Sequence, residues 1–145
     1  MTHSQQTLRL TPLGAHPDPV WSTYQVHKIA SMSHVDLALT APGDVLLGGG
    51  PSGLHIPIKL STSPPATKFS DIAAGSNHCL LLSDEGDLYC FGDNDCGQLG
   101  LPKTVTLVKQ PEVVPHFKDR KDKIVSIACG SKHSLVLTKS CQVWS

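Results

Sequence analysis

Apolar positions fall in short runs separated by Gly, Ser, Asp and Pro, and no window keeps a sustained 3.6-residue period, so very little helix is expected. The most regular stretch is Ile72 to Gly100, IAAGSNHCLLLSDEGDLYCFGDNDCGQLG. It holds two apolar runs, with Ser83-Asp84-Glu85-Gly86-Asp87 between them and a glycine-paced turn after them. The middle segment predicts a hairpin loop, because Gly86 supplies the positive φ that such a loop needs. Leu80-Leu81-Leu82 is apolar without interruption, as expected of a strand covered on both faces.

The first half of this stretch recurs as Ile127 to Ser145, IACGSKHSLVLTKSCQVWS. Gly75, Ser76, His78 and Leu80 map onto Gly130, Ser131, His133 and Leu135, each 55 positions on. A degenerate third copy is traced from Val26 to Gly50, 43 positions upstream of the complete one. There Ile29 aligns with Ile72, Leu37-Ala38-Leu39 with Leu80-Leu81-Leu82, and Gly43-Asp44 with Gly86-Asp87. In that copy Met32 stands for Gly75 and Val35 for His78, and in the last copy Cys141 stands at the hairpin glycine. Short strands opening with proline, Ile56 to Leu60 and Pro111 to Val114, are read as the first strand of each following unit. Residues 1 to 25 form an irregular segment: Thr7-Leu8-Arg9-Leu10 alternates like a short strand, and Pro12, Pro17 and Pro19 exclude regular structure after it. The division is therefore 1–25 irregular, 26–60 degenerate first repeat, 61–110 complete repeat and 111–145 truncated last repeat.

Four-stranded units of about 50 residues suggest propeller blades. The fold class expected is all-β, a partial β-propeller of two to three four-stranded antiparallel blades. Ala73 to His78, Gly86, Phe91-Gly92 and Gly97-Gln98-Leu99-Gly100 together resemble the repeat of the regulator of chromosome condensation family, over roughly residues 26 to 145. The structural repeat signature is Gly75, His78, Gly86, Gly92, Gly97, Gln98, Gly100, Gly130 and His133. Members of that family close a ring of about seven blades. Two to three blades imply a fragment, a truncated product, or part of an assembly in which further blades or another chain complete the fold.

Twelve basic residues balance twelve acidic ones, so no global field draws in nucleic acid or an anionic membrane. The mixed cluster Lys118-Asp119-Arg120-Lys121-Asp122-Lys123 reads as a solvated loop. No stretch approaches the roughly 20 apolar residues of a membrane span, and the polar start MTHSQQ has no signal-peptide pattern. With five cysteines, an odd number, the expectation is an intracellular protein, in cytoplasm or nucleus.

Cys79, Cys90, Cys96, Cys129 and Cys141 form no paired metal-ligand spacing, which argues against zinc; Cys79 aligns with Ser134, Cys90 with Ser145 and Cys129 with Ala74, an interchange that reads as small buried fillers. His78 and His133 have no recurring nucleophile or carboxylate beside them; the expectation is an imidazole bonded to backbone in a tight turn. Gly48 to Gly53 has the spacing of a phosphate loop but carries Leu54 where lysine is required, so it reads as an inter-strand turn. Asp93-Asn94-Asp95 lacks the remaining EF-hand ligands and is expected to cap its own turn. No catalytic residue, cofactor or metal is expected.

The function expected is a non-enzymatic protein-protein interaction module, a scaffold or regulatory adaptor. The resemblance implies an alternative, guanine nucleotide exchange on a small GTPase, since the founding member acts on Ran. Leu101 to Gln110 is too short to show the wedge hairpin of that exchange factor, and residues 1 to 25 hold only Arg9 as a formal cation. A second alternative is a truncated product without independent function. The partner expected is a protein, with no direct nucleic-acid contact.

Overall fold

Each apolar run becomes a strand, and each hairpin loop reverses the chain onto the preceding one. A computed structural model describes residues 24–49, 58–62 and 65–145. The expectations for residues 1–23, for positions 50–54 of the glycine loop, and for Ile56 and Pro57 lie outside these residues. Among the described residues, eleven strands form three antiparallel sheets. The first contains β1 (Val26–Ser31), β2 (Asp36–Thr40), β3 (Val45–Gly48) and β4 (Ile58–Lys59), in that order. The second runs β5 (Phe69–Ala74), β6 (His78–Ser83), β7 (Leu88–Asp93) and β8 (Leu107–Val113). The third holds β9 (Ile124–Cys129), β10 (Ser134–Thr138) and β11 (Val143–Trp144). A 3-10 turn, Pro115–Phe117, links the second sheet to the third. This is a partial propeller, with two four-stranded blades and a third of three strands.

Backbone hydrogen bonds identify the three copies independently of side chains. Met32 N–H donates to Val35 O at 2.8 Å, Gly75 to His78 O at 2.8 Å and Gly130 to His133 O at 2.9 Å. Across the hairpins, Thr40, Ser83 and Thr138 donate their N–H groups to Asp44, Asp87 and Gln142, each at 2.9 Å. The hydroxyls of the same three residues accept from Asp44, Asp87 and Gln142 N–H at 3.1, 3.0 and 3.3 Å. Gly43, Gly86 and Cys141 take φ of 85, 82 and 64° at the same hairpin position. The first copy, degenerate in sequence, therefore repeats the backbone of the others.

Two strand assignments change. The Pro111 to Val114 segment, expected to open the last unit, belongs to β8 and pairs with β7, as Gly92↔Val108 and Tyr89↔Val113. Ile58–Lys59 likewise pairs with β3 as the outer strand of the first sheet. The chain thus completes one blade before entering the next, so sequence unit and sheet are offset by a strand. Pro111 lies inside β8 rather than at its start. It costs little there, because β8 is an edge strand and its register with β7 shifts between Cys90 and Gly92.

The sheets stack face to face: β1 and β2 pack on β5, and β5 and β6 pack on β9. Cross-strand pairing puts Ile72, Leu81 and Tyr89 on one face of the second sheet. Leu80 and Leu88, on the other face, line a shared cleft with Val136 and Trp144 of the third. Leu80 is 0% exposed and Ile72 1%. At the corresponding positions of the outer sheets, Leu135 is 38% exposed and Ile29 65%. The difference is what a neighbouring sheet covers.

Leu80→Ala is expected to cost about 3 kcal/mol, from lost burial and a cavity, and Leu135→Ala less than about 1 kcal/mol. Urea denaturation of the two variants measures this; equal costs would contradict the stacking order.

Candidate functional site

The three turns that open β2, β6 and β10 meet at one end of the sheet stack. Ser33 donates through both N–H and hydroxyl to Ser76 O, each at 2.8 Å. Ser76 N–H donates to Ser131 O at 3.1 Å, and the two hydroxyls lie 2.8 Å apart. A line of serines at one repeat position, Ser33, Ser76 and Ser131, thus ties sheet to sheet. Ser33 was not among the signature residues; the 43-residue offset that aligns Met32 with Gly75 would have found it.

Gly75 is required by close approach. A Cβ there would collide with His78 Cε1 and lie 2.5 Å from Gly130 O, a backbone atom of the next sheet. Gly130 repeats the arrangement, since its Cβ would collide with the His133 ring. Each histidine thus folds back over the glycine three residues before it. Met32 fits the first copy because Val35, not histidine, follows it.

His78 is fully buried, and its Nε2 lies 3.0 Å from Ser134 Oγ. Ser134 donates in turn to Gln98 O at 2.7 Å. The partner is a side chain of the next sheet rather than the backbone of the histidine's own turn, which Gly75 N–H and His78 O already close. Burial holds the His78 imidazole below its ordinary pKa, opposed by a backbone hydrogen bond at His133. A buried, neutral imidazole suits a hydrogen-bonded joint between sheets. His133 is exposed, so the two aligned histidines differ in environment.

Gly92 sits opposite His78 in the β6–β7 ladder, with φ 105°. Gly97 and Gly100, at φ 79 and 69°, bracket the following turn. Gln98 Oε1 accepts from Cys96 N–H at 2.8 Å. Asn94, 2% exposed, does more than cap its own turn. Its Oδ1 accepts from Leu99 N–H at 3.0 Å and its Nδ2 donates to Val105 O at 2.7 Å, which binds the turn to the next loop.

At the opposite end, a repeated ion pair joins each hairpin to the next sheet. Asp44 bonds Lys68 at 2.6 Å and Lys59 at 3.0 Å; Asp87 bonds Lys123 at 3.3 Å. Asp44 aligns with Asp87, and Lys68 with Lys123. The hydrogen bond from Lys68 lowers the Asp44 pKa against the opposing effect of burial, and Lys59 adds to the lowering.

The cysteines divide. Cys79 and Cys90 are buried and Cys129 half-buried, whereas Cys96 and Cys141 are exposed. Burial raises the thiol pKa at Cys79, Cys90 and Cys129, to about 12 at Cys90, which keeps these thiols protonated and unreactive. Among the described residues, no three His, Cys, Asp or Glu side chains converge as a metal site, and no helix is long and apolar enough to cross a membrane.

The stacked antiparallel sheets define a repeat protein of propeller type. Two models of the regulator of chromosome condensation (RCC1) repeat match, at residues 69–98 and 85–137, and the chain belongs to that family. It is 32% identical over 136 residues to the human probable E3 ubiquitin-protein ligase HERC4, a match covering 86% of this chain and 12% of that protein. The crystal structure of human WBSCR16 superimposes with a TM-score of 0.72 at 22% identity, covering 84% of this chain and 34% of that one. Yeast RCC1 (Prp20) in its crystal structure bound to Kap60 gives a TM-score of 0.66 at 25% identity, covering 82% and 31%. The chain thus spans about an eighth of the HERC4 length and a third of each structure.

Two outcomes follow from these contacts. Gly75→Val should cost about 2–3 kcal/mol through overpacking against the His78 ring and Gly130 O, and Met32→Val should cost less; equal shifts in denaturation midpoint would contradict the alignment. The depressed Asp44 pKa means that its pairing stabilises the fold above the ordinary aspartate range of about 3.9, and that this contribution is lost as pH falls through the lower folded value. Asp44→Asn should therefore reduce stability at neutral pH by at most about 1 kcal/mol, because the pair is partly exposed, and should flatten the acid limb of a stability-versus-pH curve. An unchanged acid limb would remove Asp44 as a contributor.

Proposed function

We propose that the chain is a non-enzymatic protein-binding module whose partner contacts the turn end of the sheets. The observation that carries this reading is the contrast between repeated and unrepeated positions at that end. Ser33, Ser76 and Ser131 hold the sheets together, and the next residue of each turn, His34, Asn77 or Lys132, is exposed. One repeat position thus displays an imidazole, an amide and an ammonium side by side on a fixed scaffold, the arrangement by which repeat proteins vary a surface without changing the fold. The Kap60 complex of yeast RCC1 supports a protein as the class of partner.

Nucleotide exchange on a small GTPase is the second reading. Leu101 to Val105 is drawn into a compact loop, with Val105 N–H bonded to Pro102 O at 2.9 Å and Asn94 reaching Val105 O at 2.7 Å, and no hairpin projects from it. That favours binding without exchange.

The triple variant His34→Ala, Asn77→Ala, Lys132→Ala alters only exposed side chains and should fold as the parent does. Pull-down from cell extract is expected to recover a partner with the parent chain and to lose it with the variant; equal recovery would remove the turn end as the binding surface. A nucleotide-release assay on a panel of small GTPases is expected to show no acceleration.

A further inference from the structure

The hairpin that joins β6 to β7 has an acidic tip, Asp84-Glu85-Gly86-Asp87, which lines a cleft of about 530 Å³ at the hairpin end of the second sheet. Tyr89 of β7 and Val113 of β8, partners in the ladder, give the cleft an apolar wall. Lys68, on the segment entering β5, and Lys118 and Asp119, on the crossover to the third sheet, add to its charged rim. The volume is that of a binding cleft. Two of the charges are committed within the fold: Lys68 bonds Asp44 at 2.6 Å, and Asp87 bonds Lys123 at 3.3 Å. Asp84, Glu85, Lys118 and Asp119 are exposed, and none of them forms an ion pair among the described residues. Three carboxylates thus face one ammonium, and the uncommitted rim is negative.

A nearly buried hydroxyl opens into the same cleft. Tyr89 is 5% exposed, and the Phe69 ring meets its ring edge-on at 5.5 Å. Among the described residues its hydroxyl has no hydrogen-bond partner. That hydroxyl is not enclosed either, since the fully buried side-chain atoms without a partner are His78 Nδ1 and Trp144 Nε1. It therefore faces the cleft that its ring helps to wall. A hydroxyl held this way is free to bond an incoming polar group.

The spread of the acceptors selects the ligand. The carboxylates do not converge as a metal site, so a compact ion would meet only part of the rim. A guanidinium carries its N–H donors in a planar fork that can reach separate oxygens at once. Its methylene stem suits an apolar wall behind a charged rim. Because the carboxylates stand at an exposed rim, a backbone can pass outside while one side chain reaches in.

We propose that this cleft receives an arginine side chain from an extended segment of a partner protein. The stem lies along Tyr89 and Val113, and the guanidinium sits between the Tyr89 hydroxyl and the carboxylates of Asp84, Glu85 and Asp119. This adds a second surface, at the hairpin end, to the module proposed above, and it rests on that reading only in taking the partner to be a protein.

The probe is the acetylated and amidated peptide Gly-Ser-Arg-Ser-Gly, titrated into the full chain with backbone amide NMR signals as the readout. Saturable shifts are expected at the amides of Ser83 to Asp87 and of Lys118 and Asp119. The same peptide with citrulline in place of arginine keeps the shape without the charge and should bind about tenfold or more weakly. Tyr89→Phe should weaken the arginine peptide about fivefold, through one lost hydrogen bond. Its thermal midpoint should match the parent's, because the hydroxyl has no partner in the free protein, and so lost binding is not lost fold. Shifts that fail to saturate or map elsewhere, equal binding of the citrulline peptide, or unchanged binding by Tyr89→Phe would each overturn the proposal. Argininamide binding as tightly as the peptide would overturn a protein segment as the source. The triple turn-end variant keeps every cleft residue and should bind the peptide as the parent does. Failure of extract capture with retained peptide binding would count against the turn end alone, whereas capture without peptide binding would defeat this proposal alone.

Discussion

The second sheet has two apolar faces, and the structure depends on covering both. A single antiparallel sheet with Leu80, Leu81 and Leu82 in succession cannot turn one face to water, because alternate residues would expose leucine on either side. Stacking solves this for the second sheet, where all three leucines are buried. The same requirement explains the offset between sequence unit and sheet. The outer strand β8 must return to the edge of β7 before the chain crosses to the inner strand β9, so each crossover links two sheets rather than closing one.

The close approach of the sheets is set by small residues at their inner ends. With no side chain at Gly75 and Gly130, the histidines fold back over the turns, and Gly130 O sits beside the Gly75 backbone. Serine hydroxyls and amides then bridge the gap at hydrogen-bond distance. At the hairpin end, aspartate–lysine pairs hold the same sheets together through partly exposed charges, which contribute less than the buried contacts. Neighbouring sheets are thus tied at both ends around an apolar middle, and the outward-facing turn residues are free to differ.

The buried ionisable side chains serve the joints and the core of the fold. The buried imidazole of His78 is committed to Ser134, and the buried thiols are held protonated. Membership of the RCC1 repeat family defines a scaffold shared by proteins as different as the human probable ligase HERC4 and yeast RCC1. Such a scaffold gives a surface and leaves the partner to its loops.

Much of this was legible in the linear chain. Repeat spacing located the strands, Gly86 marked a hairpin, and the pairing of Gly75 with His78 marked a recurring turn, because backbone conformation and alternating burial are local properties. The degenerate first copy was legible too, since Leu37 to Leu39 and Gly43 keep the pattern where Met32 and Val35 depart from it. Other features required the fold. The sheet to which Pro111 belongs, the Ser134 partner of His78, the bridging role of Asn94 and the exposure of Cys96 all depend on which edge meets which. For His78 and Ser134 that choice is made by packing between segments 56 and 36 residues apart, and no local pattern encodes it. The family and the blade were written in the periodicity of the chain; the joints between blades were decided by how the sheets stack.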